Sequence, residues 1–389
     1  MSGMDRYDRQ TRIEGWDQNL LFSSTVFIAG VGAIGGEVAK NLTMMGIGKL
    51  VLADYDFVEL SNLSRQLLFR DSDLGKSKAA VAAERLREIN PHVEVEAFGK
   101  DIRVLTEDVF RSVDVIFSCL DNWASRRWLN SVAVSLNKPL IDGSMNGFYG
   151  NVQAVLPRRT ACLECQSINL IPREEKEAEC TLKRRNPEHL VNDLKELGIE
   201  VDVGQAEKLF QLNIKTVYDI KYARLETITS VADEGVLRLL ERLRSILTSR
   251  LPAIQSVAAV VAGIMTTVGV KLLHGGKLGA VPTGLIVYDG LSSRLSRVRI
   301  SRDPLCIVCG EDDATPVEFS FKLGESVLKL KEALASAFGF PDPEVLFGGK
   351  RLSDEEILAE VGVKSGDVIY VSTTRLFEPL PIKIISPSH

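Results

Sequence analysis

Short apolar runs alternate with amphipathic stretches between residues 25 and 145. The apolar runs predict strands, and the stretches between them have helical periodicity. The predicted strands are "TVFIAG", "KLVLADYD", "VEVEAFG", "VDVIFSCLD" and "PLIDGSM". This alternation predicts an α/β fold, a Rossmann-like doubly wound sheet with helices on both faces. The next apolar stretch, "YGNVQAVLP", predicts a strand that extends the sheet in the antiparallel direction.

A different pattern begins near residue 173. Residues 173–250 are rich in Glu, Lys, Arg and Leu, and their apolar positions recur with helical rather than strand spacing. We therefore expect a helical insert that interrupts one α/β domain. That domain comprises residues 1–172 and residues 251–315, where core-like sequence and the strand "GLIVYDG" return.

The sequence after Cys309 has the pattern of a separate α+β domain. Residues 316–374 predict strand, helix, strand, turn, short helix and strand, and "LFGGKRL" predicts a strand pair around a Gly-Gly hairpin turn. We interpret this region as a β-grasp, ubiquitin-fold domain. Residues 375–389, "RLFEPLPIKIISPSH", contain several prolines and are predicted to be a loose tail.

Composition narrows the class of protein. The chain has 389 residues, 45% hydrophobic and 25% charged, with a net charge of −5. This balance supports a large core and does not suggest a nucleic-acid partner. The N-terminal segment is charged and has no apolar signal-peptide region, so we expect a cytoplasmic protein. Residues 251–270 are uncharged and about long enough to span a bilayer, but Pro252 and several polar residues interrupt them, and we expect a core helix and no membrane contact.

Four of the six cysteines form two CxxC pairs, Cys162 with Cys165 and Cys306 with Cys309. Without a secretory signal, a metal is favoured over disulfides, and four thiolates suit tetrahedral Zn²⁺. Such a site would tie together distant parts of one domain and would contribute to folding rather than to catalysis. The alternative is two buried or redox-active pairs. Cys119 ends an apolar run and is predicted to be a small core residue.

A glycine-rich turn follows the first predicted strand. Gly30, Gly32 and Gly35 form a GxGxxG pattern between a strand and a helix, where glycines let the backbone approach phosphates and the helix N-terminus favours anions. Asp54 ends the second strand and suits a ribose hydroxyl contact. By itself this pattern favours a nicotinamide-dependent dehydrogenase.

The residues after Asp54 argue instead for a triphosphate. A dinucleotide needs no cationic cluster there, whereas the charge of a triphosphate must be neutralised before an oxygen nucleophile can attack the α-phosphorus. Asp121, at the end of a later strand, could then hold Mg²⁺. The alternative is a set of surface charges at a helix start. The cluster consists of Asn62, Arg65, Gln66, Arg70, Lys76 and Lys78.

The chain resembles the E1-type activating enzymes and their bacterial relatives, the adenylyltransferases of the molybdopterin and thiamine sulfur-carrier pathways. The motifs that carry the resemblance are "RYDRQTRIEGW", "GVGAIGGEVAKNL", "LADYDFVELSNLSRQLLF", "GKSKA", "LDN", "PLIDG" and the paired CxxC motifs, in the family's order. The resemblance implies ATP with Mg²⁺ on Asp121. Arg9 matches an arginine that this family often supplies from a partner subunit, so we expect a homodimer. The implied nucleotide-binding residues are Gly30, Gly32, Ala33, Gly35, Asp54, Asn62, Arg65, Gln66, Lys78, Asp121 and Asn122.

Three features resemble the branch that activates ubiquitin-like modifiers. The stretch "DGSMNGFYGNVQAVLPRRTACLECQ" is similar to the crossover segment that covers the modifier's C-terminal tail. The stretch "CTLKRRNPEHL" is similar to the catalytic-cysteine region, which makes Cys180 the expected nucleophile, although Leu190 stands where a second cysteine is common. Residues 316–374 stand where these enzymes carry the domain that recruits the E2 conjugating enzyme. A fused modifier is disfavoured, because Gly348–Gly349 lies inside a predicted hairpin and the sequence ends "IISPSH".

The resemblance therefore implies adenylation of the C-terminal Gly-Gly of a ubiquitin-like modifier, thioester formation on Cys180 and transfer to an E2. One rival is a sulfur-carrier adenylyltransferase that stops at the acyl-adenylate, and another is a catalytically dead partner subunit. An incidental surface thiol is the alternative for Cys180, but the cations at 183–185 favour its thiolate. The compact one-chain layout suggests an archaeal version of the enzyme.

Overall fold

The computed structural model describes residues 5–166, 186–196, 198–212, 214, 220, 234–247, 252–304, 306–310, 316–340 and 342–387. The chain divides into two compact units. The first unit contains Met1–Asn169, Pro252–Val317 and Thr374–Leu380, and the second contains Leu170–Leu251, Glu318–Thr373 and Pro381–His389.

Helices and strands alternate along the first half of the chain. The strands are β1 (Thr25–Ala29), β2 (Lys49–Ala53), β3 (Glu94–Phe98), β4 (Val115–Ser118), β5 (Leu140–Asn146), β6 (Tyr149–Val155), β7 (Leu285–Asp289), β8 (Arg294–Val298), β9 (Val317–Ser320), β10 (Glu344–Phe347), β11 (Lys350–Arg351), β12 (Val368–Ser372) and β13 (Leu380–Ile385). The α-helices are α1 (Asp8–Thr11), α2 (Gln18–Ser23), α3 (Ala33–Met45), α4 (Lys78–Ile89), α5 (Glu107–Arg111), α6 (Trp123–Ser135), α7 (Pro187–Glu196), α8 (Val203–Gln211), α9 (Glu234–Leu247), α10 (Gln255–Leu273) and α11 (Val327–Phe338).

An eight-stranded sheet forms the centre of the first unit. Its order is β3-β2-β1-β4-β5-β6-β7-β8; β1 to β5 are parallel, and β6 to β8 continue the sheet in antiparallel pairs. This arrangement confirms the predicted doubly wound α/β sheet and its antiparallel extension. All five parallel strands therefore end at one edge, the carboxyl edge, where open α/β sheets bind their ligands.

Helices cover both faces of this sheet. Val26 and Ile28 face an apolar cluster that contains residues of α3, α4 and α10, whereas Phe27 and Ala29 face a second cluster with α5 and α6. Neighbouring residues of one strand point to opposite faces, so the continuous apolar run of β1 is needed to fill both clusters.

Helix α10 carries the uncharged stretch. It is long and apolar enough to cross a membrane by length and composition, and half of its most apolar window is buried. Val261, Met265 and Val268 lie in the core. A Cβ on Gly269 would lie 2.5 Å from the Phe117 ring, so the helix approaches β4 closely. The prediction of a core helix is confirmed for the side of α10 that carries these buried residues, whereas Val260 on the other side is exposed.

The described part of the insert is helical, as predicted. Helices α7, α8 and α9 are amphipathic and share an apolar cluster that includes Leu194, Leu209 and Leu240. Leu190 is fully buried in that cluster. Residues 167–185, which include Cys180, lie outside the described residues.

A second sheet of five strands, in the order β11-β10-β12-β13-β9, belongs to the C-terminal module with helix α11. The predicted Gly-Gly hairpin is confirmed. Phe347 pairs with Lys350, and Gly348 and Gly349 have φ values of 57° and 78°. Two successive positive φ values characterise the two-residue turns that favour glycine.

The prediction of a loose tail at 375–389 is wrong for a large part of that segment. Residues 380–385 form β13, an interior strand between β12 and β9. Leu380, Ile382 and Ile384 are buried and alternate with less buried neighbours, which is the pattern of a strand with one face on a core. The ubiquitin-fold domain therefore needs a strand beyond the predicted limit at residue 374.

The stretch expected to cover the modifier's tail is mostly sheet. Strands β5 and β6 form a hairpin with Asp142 opposite Gln153, and a short 3-10 helix follows at Leu163–Gln166. Ladder hydrogen bonds hold the hairpin, and Cys162 and Cys165 at the end of the stretch belong to the cysteine cluster.

Candidate nucleotide site and cysteine cluster

The glycine turn connects β1 to α3. Gly30 has a φ of 83°, and its N–H donates to the Ala53 carbonyl at 2.8 Å. Gly32 is the N-cap of α3 and has no side chain to satisfy the first N–H groups of the helix. A Cβ on Gly35 would lie only 1.8 Å from the Gly30 carbonyl oxygen. The turn thus presents free backbone N–H groups at a helix N-terminus, which is an arrangement that binds phosphate.

Asp54 follows β2 and braces this turn. Its Oδ2 accepts the Val31 N–H at 2.8 Å and its Oδ1 accepts the Asp56 N–H at 2.8 Å. Burial raises the pKa of the Asp54 carboxyl to about 6, against the opposing effect of Lys78. The sequence pattern predicted only a ribose contact for Asp54, and the brace to the glycine turn went unpredicted.

Lys78 is the first residue of α4 and points back to the same edge. Its side chain is only 8% exposed, and Nζ lies 2.9 Å from Oδ2 of Asp56. The Lys78 N–H also donates to the Asp56 carbonyl at 2.9 Å. Asp56 is therefore the resident counter-ion of this buried ammonium group.

Asn62, Arg65 and Gln66 lie on the connection between β2 and α4. Asn62 is buried; its Oδ1 accepts the Glu59 N–H at 3.0 Å, and its Nδ2 donates to Ser61 Oγ at 3.5 Å. Arg65 Nη1 donates to the Ser61 carbonyl. Gln66 is 6% exposed, and its Oε1 is buried without a hydrogen-bond partner among the described residues. Its Nε2 lies 3.7 Å from the position of a Cβ on Gly32, so this amide borders the glycine turn.

Asp121 and Asn122 follow β4, which neighbours β1. The carbonyl of Cys119 lies 2.7 Å from the position of a Cβ on Gly30, so this segment runs directly beside the turn. Asn122 Oδ1 caps α6 by accepting the Ser125 N–H at 2.8 Å. Asp121 is exposed, and a single carboxylate that leaves room for waters and phosphate oxygens fits the way Mg²⁺ binds.

A buried ion pair supports the start of α6. Arg126 donates to both carboxylate oxygens of Asp142, and Ser118 Oγ donates to Asp142 Oδ1 at 2.8 Å. The Arg126 guanidinium also lies 4.4 Å from the centre of the Trp123 ring. Asp142 comes from the "PLIDG" motif, and its structural role was not predicted. The nearby Cys119 is partly buried and packs against the core, and burial raises the pKa of its thiol, with Asp142 adding to the effect.

Arg9 lies far from the glycine turn of its own chain. Its helix α1 is anchored beyond the C-terminal end of α3, because Gln10 donates to the Met45 carbonyl at 2.7 Å and Asn90 donates to the Tyr7 hydroxyl at 2.8 Å. The thirteen residues of α3 span about 20 Å at 1.5 Å per residue. Arg9 is exposed at the edge opposite the nucleotide site.

The two CxxC pairs converge, as predicted. The four sulfur atoms of Cys162, Cys165, Cys306 and Cys309 lie within 4.8 Å of one another. Sulfurs at the corners of a tetrahedron with 2.3 Å metal bonds are about 3.8 Å apart, and the Cys162–Cys306 separation is 3.7 Å. Donor type and geometry therefore fit structural Zn²⁺, which would join two segments of the first unit that are far apart in sequence.

Glu164 lies between the first two cysteines, and its side chain is buried. Arg127 of α6 donates to both of its carboxylate oxygens, at 3.0 and 3.2 Å. On the other side of the cluster, Arg302 Nε donates to the Cys309 carbonyl at 2.9 Å. These contacts hold the knuckles in place, as the outer partners of metal sites usually do.

The fold and the glycine-turn site define a nucleotide-binding α/β protein with an appended ubiquitin-like module. Residues 7–308 match the model of the ThiF family, and residues 310–376 match that of the Ubiquitin family. The chain belongs to the ThiF family, which implies ATP use.

Curated relatives confirm the resemblance to E1-type activating enzymes. The NEDD8-activating enzyme E1 catalytic subunit of Saccharomyces cerevisiae is 31% identical over 266 residues, which cover 64% of this chain and 85% of the relative. The Nedd8-activating enzyme E1 catalytic subunit of Drosophila melanogaster is 36% identical over 196 residues, 46% of this chain and 43% of the relative. The chain thus spans less than half the length of the Drosophila relative.

Solved structures show the same fold. A crystal structure of E. coli MccB superimposes with a TM-score of 0.54 at 19% identity, covering 80% of this chain and 74% of MccB. At that identity the likeness concerns the fold alone.

Proposed function

We propose that this chain uses ATP to activate the C-terminal glycine of a ubiquitin-like modifier, holds the modifier as a thioester on Cys180 and passes it to an E2 conjugating enzyme. The observation that carries the proposal is the convergence of the glycine turn, Asp54, Lys78 and Asp121 at the carboxyl edge. This convergence occurs in a chain whose relatives are named as E1 catalytic subunits.

The first step is adenylation. A carboxylate oxygen of the modifier attacks the α-phosphorus of ATP, a P–O bond forms, and pyrophosphate leaves. The N–H groups at the start of α3, together with Lys78 and Arg65, would stabilise the negative charge on the phosphates. Mg²⁺ held by Asp121 would neutralise further phosphate charge. Asp54 would orient the ribose while its brace keeps the turn in shape.

Lys78 would change partner when ATP binds. In the structure its ammonium group is paired with Asp56, whose side chain is half exposed. A phosphate group carries more charge than a carboxylate and would compete for the same ammonium, while Asp56 can turn to solvent. The site is therefore preorganised, with its cation already in place beside the glycine turn.

The second step is thioester formation. The Cys180 thiolate attacks the adenylate's carbonyl carbon, a C–S bond forms, and AMP leaves. Lys183, Arg184 and Arg185 follow in sequence, and their positive charge would favour the thiolate. The thiol of an E2, docked through the module at 316–374, would then take the modifier by exchange.

A homodimer would complete the site. Arg9 lies about one helix length from its own glycine turn, which supports its delivery to the site of a second copy. Helix α10 starts beside the β5–β6 hairpin at the carboxyl edge, where Ala253 bridges Gly147, and ends where the Asp17 N–H donates to His274. A two-fold axis across the outward side of α10 would bring the partner's N-terminal segment from the far edge to this carboxyl edge.

Subunit complementation tests the shared site. Arg9→Ala and Lys78→Met should each lower ATP–pyrophosphate exchange by at least about 10²-fold, whereas a refolded mixture should regain about a quarter of wild-type activity. Half of randomly formed dimers are mixed, and one of their two sites is intact. Activity of the mixture no higher than the sum of the two variants would reject the shared site.

The rival function ends at the acyl-adenylate. The two functions share the nucleotide site and differ at Cys180, so the discriminating assay is a non-reducing gel after incubation with ATP and a β-grasp protein that ends in Gly-Gly. A thiol-labile adduct that is absent from Cys180→Ala supports the E1 function. Exchange activity without an adduct in the wild type supports the rival.

A further inference from the structure

Residues 374–380, here called the strap, run from the end of β12 to the start of β13, two strands of the C-terminal sheet. The chain leaves that sheet after β12, the strap belongs to the first unit, and the chain re-enters the sheet as β13. Because β13 is an interior strand, the anchoring of the strap sets where this strand begins.

The strap is anchored on the cysteine knuckle and on α6. Arg375 forms an ion pair with Glu164, and the two side chains are 7% and 6% exposed. The Phe377 ring packs edge-on against Trp128 at 6.0 Å between centroids, and the Phe377 N–H donates to Ser131 Oγ at 2.9 Å. Phe377 packs on the same apolar cluster that contains three of the four cysteines.

Glu164 couples this anchor to the cysteine cluster through its place in the chain. It lies between Cys162 and Cys165, in the short 3-10 helix Leu163–Gln166, and its carboxylate pairs with both Arg127 and Arg375. A metal bound to the cysteines holds this segment in shape, because a structural metal site contributes folding energy to the segments that supply its ligands. Loss of the metal would release the segment that positions Glu164, and Arg375 would lose its acceptor.

We propose that the strap is a metal-dependent restraint on the ubiquitin-like module. With the knuckle loaded, Arg375 stays on Glu164 and the strap holds the start of β13. When the metal leaves, Arg375 releases Glu164, the strap detaches from α6, and the first residues of β13 open. Metal occupancy at the knuckle would thus change the local stability of a sheet that contains none of the metal ligands.

Hydrogen exchange measured by mass spectrometry on the full chain tests the metal dependence. Zinc is removed with a chelator, and peptides from 374–385 are compared with peptides from β1, which serve as the internal reference. Exchange in 374–385 should rise at least about tenfold, equivalent to ~1.4 kcal/mol, while β1 remains protected. Unchanged exchange in 374–385 overturns the proposal, and so does an equal rise in β1, because the strap would then have no behaviour of its own.

Two variants test the anchor in the metal-loaded protein. Arg375→Met should raise hydrogen exchange in 374–385 by a similar factor. Its zinc content, measured by elemental mass spectrometry, should be unchanged. Lys383→Met is the matched control, because Lys383 lies in β13 itself but pairs on the surface with Glu318 at 3.0 Å. Its exchange should stay within about twofold of wild type. Wild-type exchange in Arg375→Met, or equal effects of the two variants, contradicts the restraint.

Discussion

Gly35 and Gly36 are neighbours in α3, but alanine should have opposite effects at the two positions. A Cβ on Gly35 would lie 1.8 Å from the Gly30 carbonyl oxygen and 3.2 Å from the Cys119 Cβ. A Cβ on Gly36 would make ordinary contacts at 3.6 Å with Leu68 and Val31. Only the first substitution forces backbone to move.

The magnitude follows from that contact. A carbon–oxygen contact needs about 3.3 Å, so the glycine turn would have to move by about 1.5 Å in Gly35→Ala. Gly30 is held by its bond to Ala53 and by the Asp54 brace on Val31, so overpacking should cost about 1–3 kcal/mol. Gly36→Ala should instead stabilise the helix by about 0.5–1 kcal/mol, because alanine loses less backbone entropy.

Thermal unfolding and ATP binding by calorimetry check both effects. At about 2–4 °C per kcal/mol, Gly35→Ala should melt several degrees below Gly36→Ala, and its ATP affinity should fall because the phosphate-binding N–H groups are displaced. Gly36→Ala should bind ATP as the wild type does. Equal melting temperatures and equal ATP affinities for the two variants would refute the reasoning about the glycine turn.

Four further outcomes are expected. Lys78→Met should lower ATP–pyrophosphate exchange by about 10²–10³-fold, while Lys76→Met, which removes a cation exposed beside Asp73, should change it little; equal losses would contradict the assignment. Because burial raises the folded-state pKa of Asp54 from 3.8 to about 6, this carboxyl contributes stability that is present below about pH 4 and lost as pH rises through about 6, a change of up to about 3 kcal/mol. Unfolding curves of Asp54→Asn should lack this pH dependence, and identical profiles for variant and wild type would disprove it. Ending the chain after residue 379 removes three buried aliphatic side chains at about 1.5–3 kcal/mol each, so protease should degrade the C-terminal module; survival of that module would show that β13 is dispensable. Cys119 should resist alkylation in the native protein because burial raises the pKa of its thiol, and labelling as fast as that of free cysteine would argue against this.

Local patterns predicted the parts of the site that lie on one element. The glycine turn, Asp54 and Asp121 each follow a predicted strand, and parallel strands bring their carboxyl ends to one edge. Convergence of the CxxC pairs was predictable from ligand chemistry, because four thiolates around one ion need no sequence proximity.

The partners that hold these groups were not predictable in the same way. Two ion pairs, Asp56–Lys78 and Asp142–Arg126, depend on how α4 and α6 pack on the sheet. No local spacing in the sequence encodes them. The strand β13 did have a signal, since its apolar residues alternate, but the prolines at 379 and 381 suggested a tail. Pro381 is the second residue of β13, and its neighbours Leu380 and Ile382 supply buried side chains.

The central claim is that an activated carboxyl terminus passes from ATP to Cys180. Intact-mass spectrometry measures this directly after incubation of the full chain with ATP, Mg²⁺ and a panel of β-grasp proteins that end in Gly-Gly. The account predicts a mass increase equal to one modifier less one water in the wild type and in Cys119→Ala, removed by thiol, and absent from Cys180→Ala while pyrophosphate exchange persists. Two results would contradict it. One is pyrophosphate exchange by the wild type with every modifier of the panel while no modifier forms an adduct. The other is an adduct that still forms in Cys180→Ala.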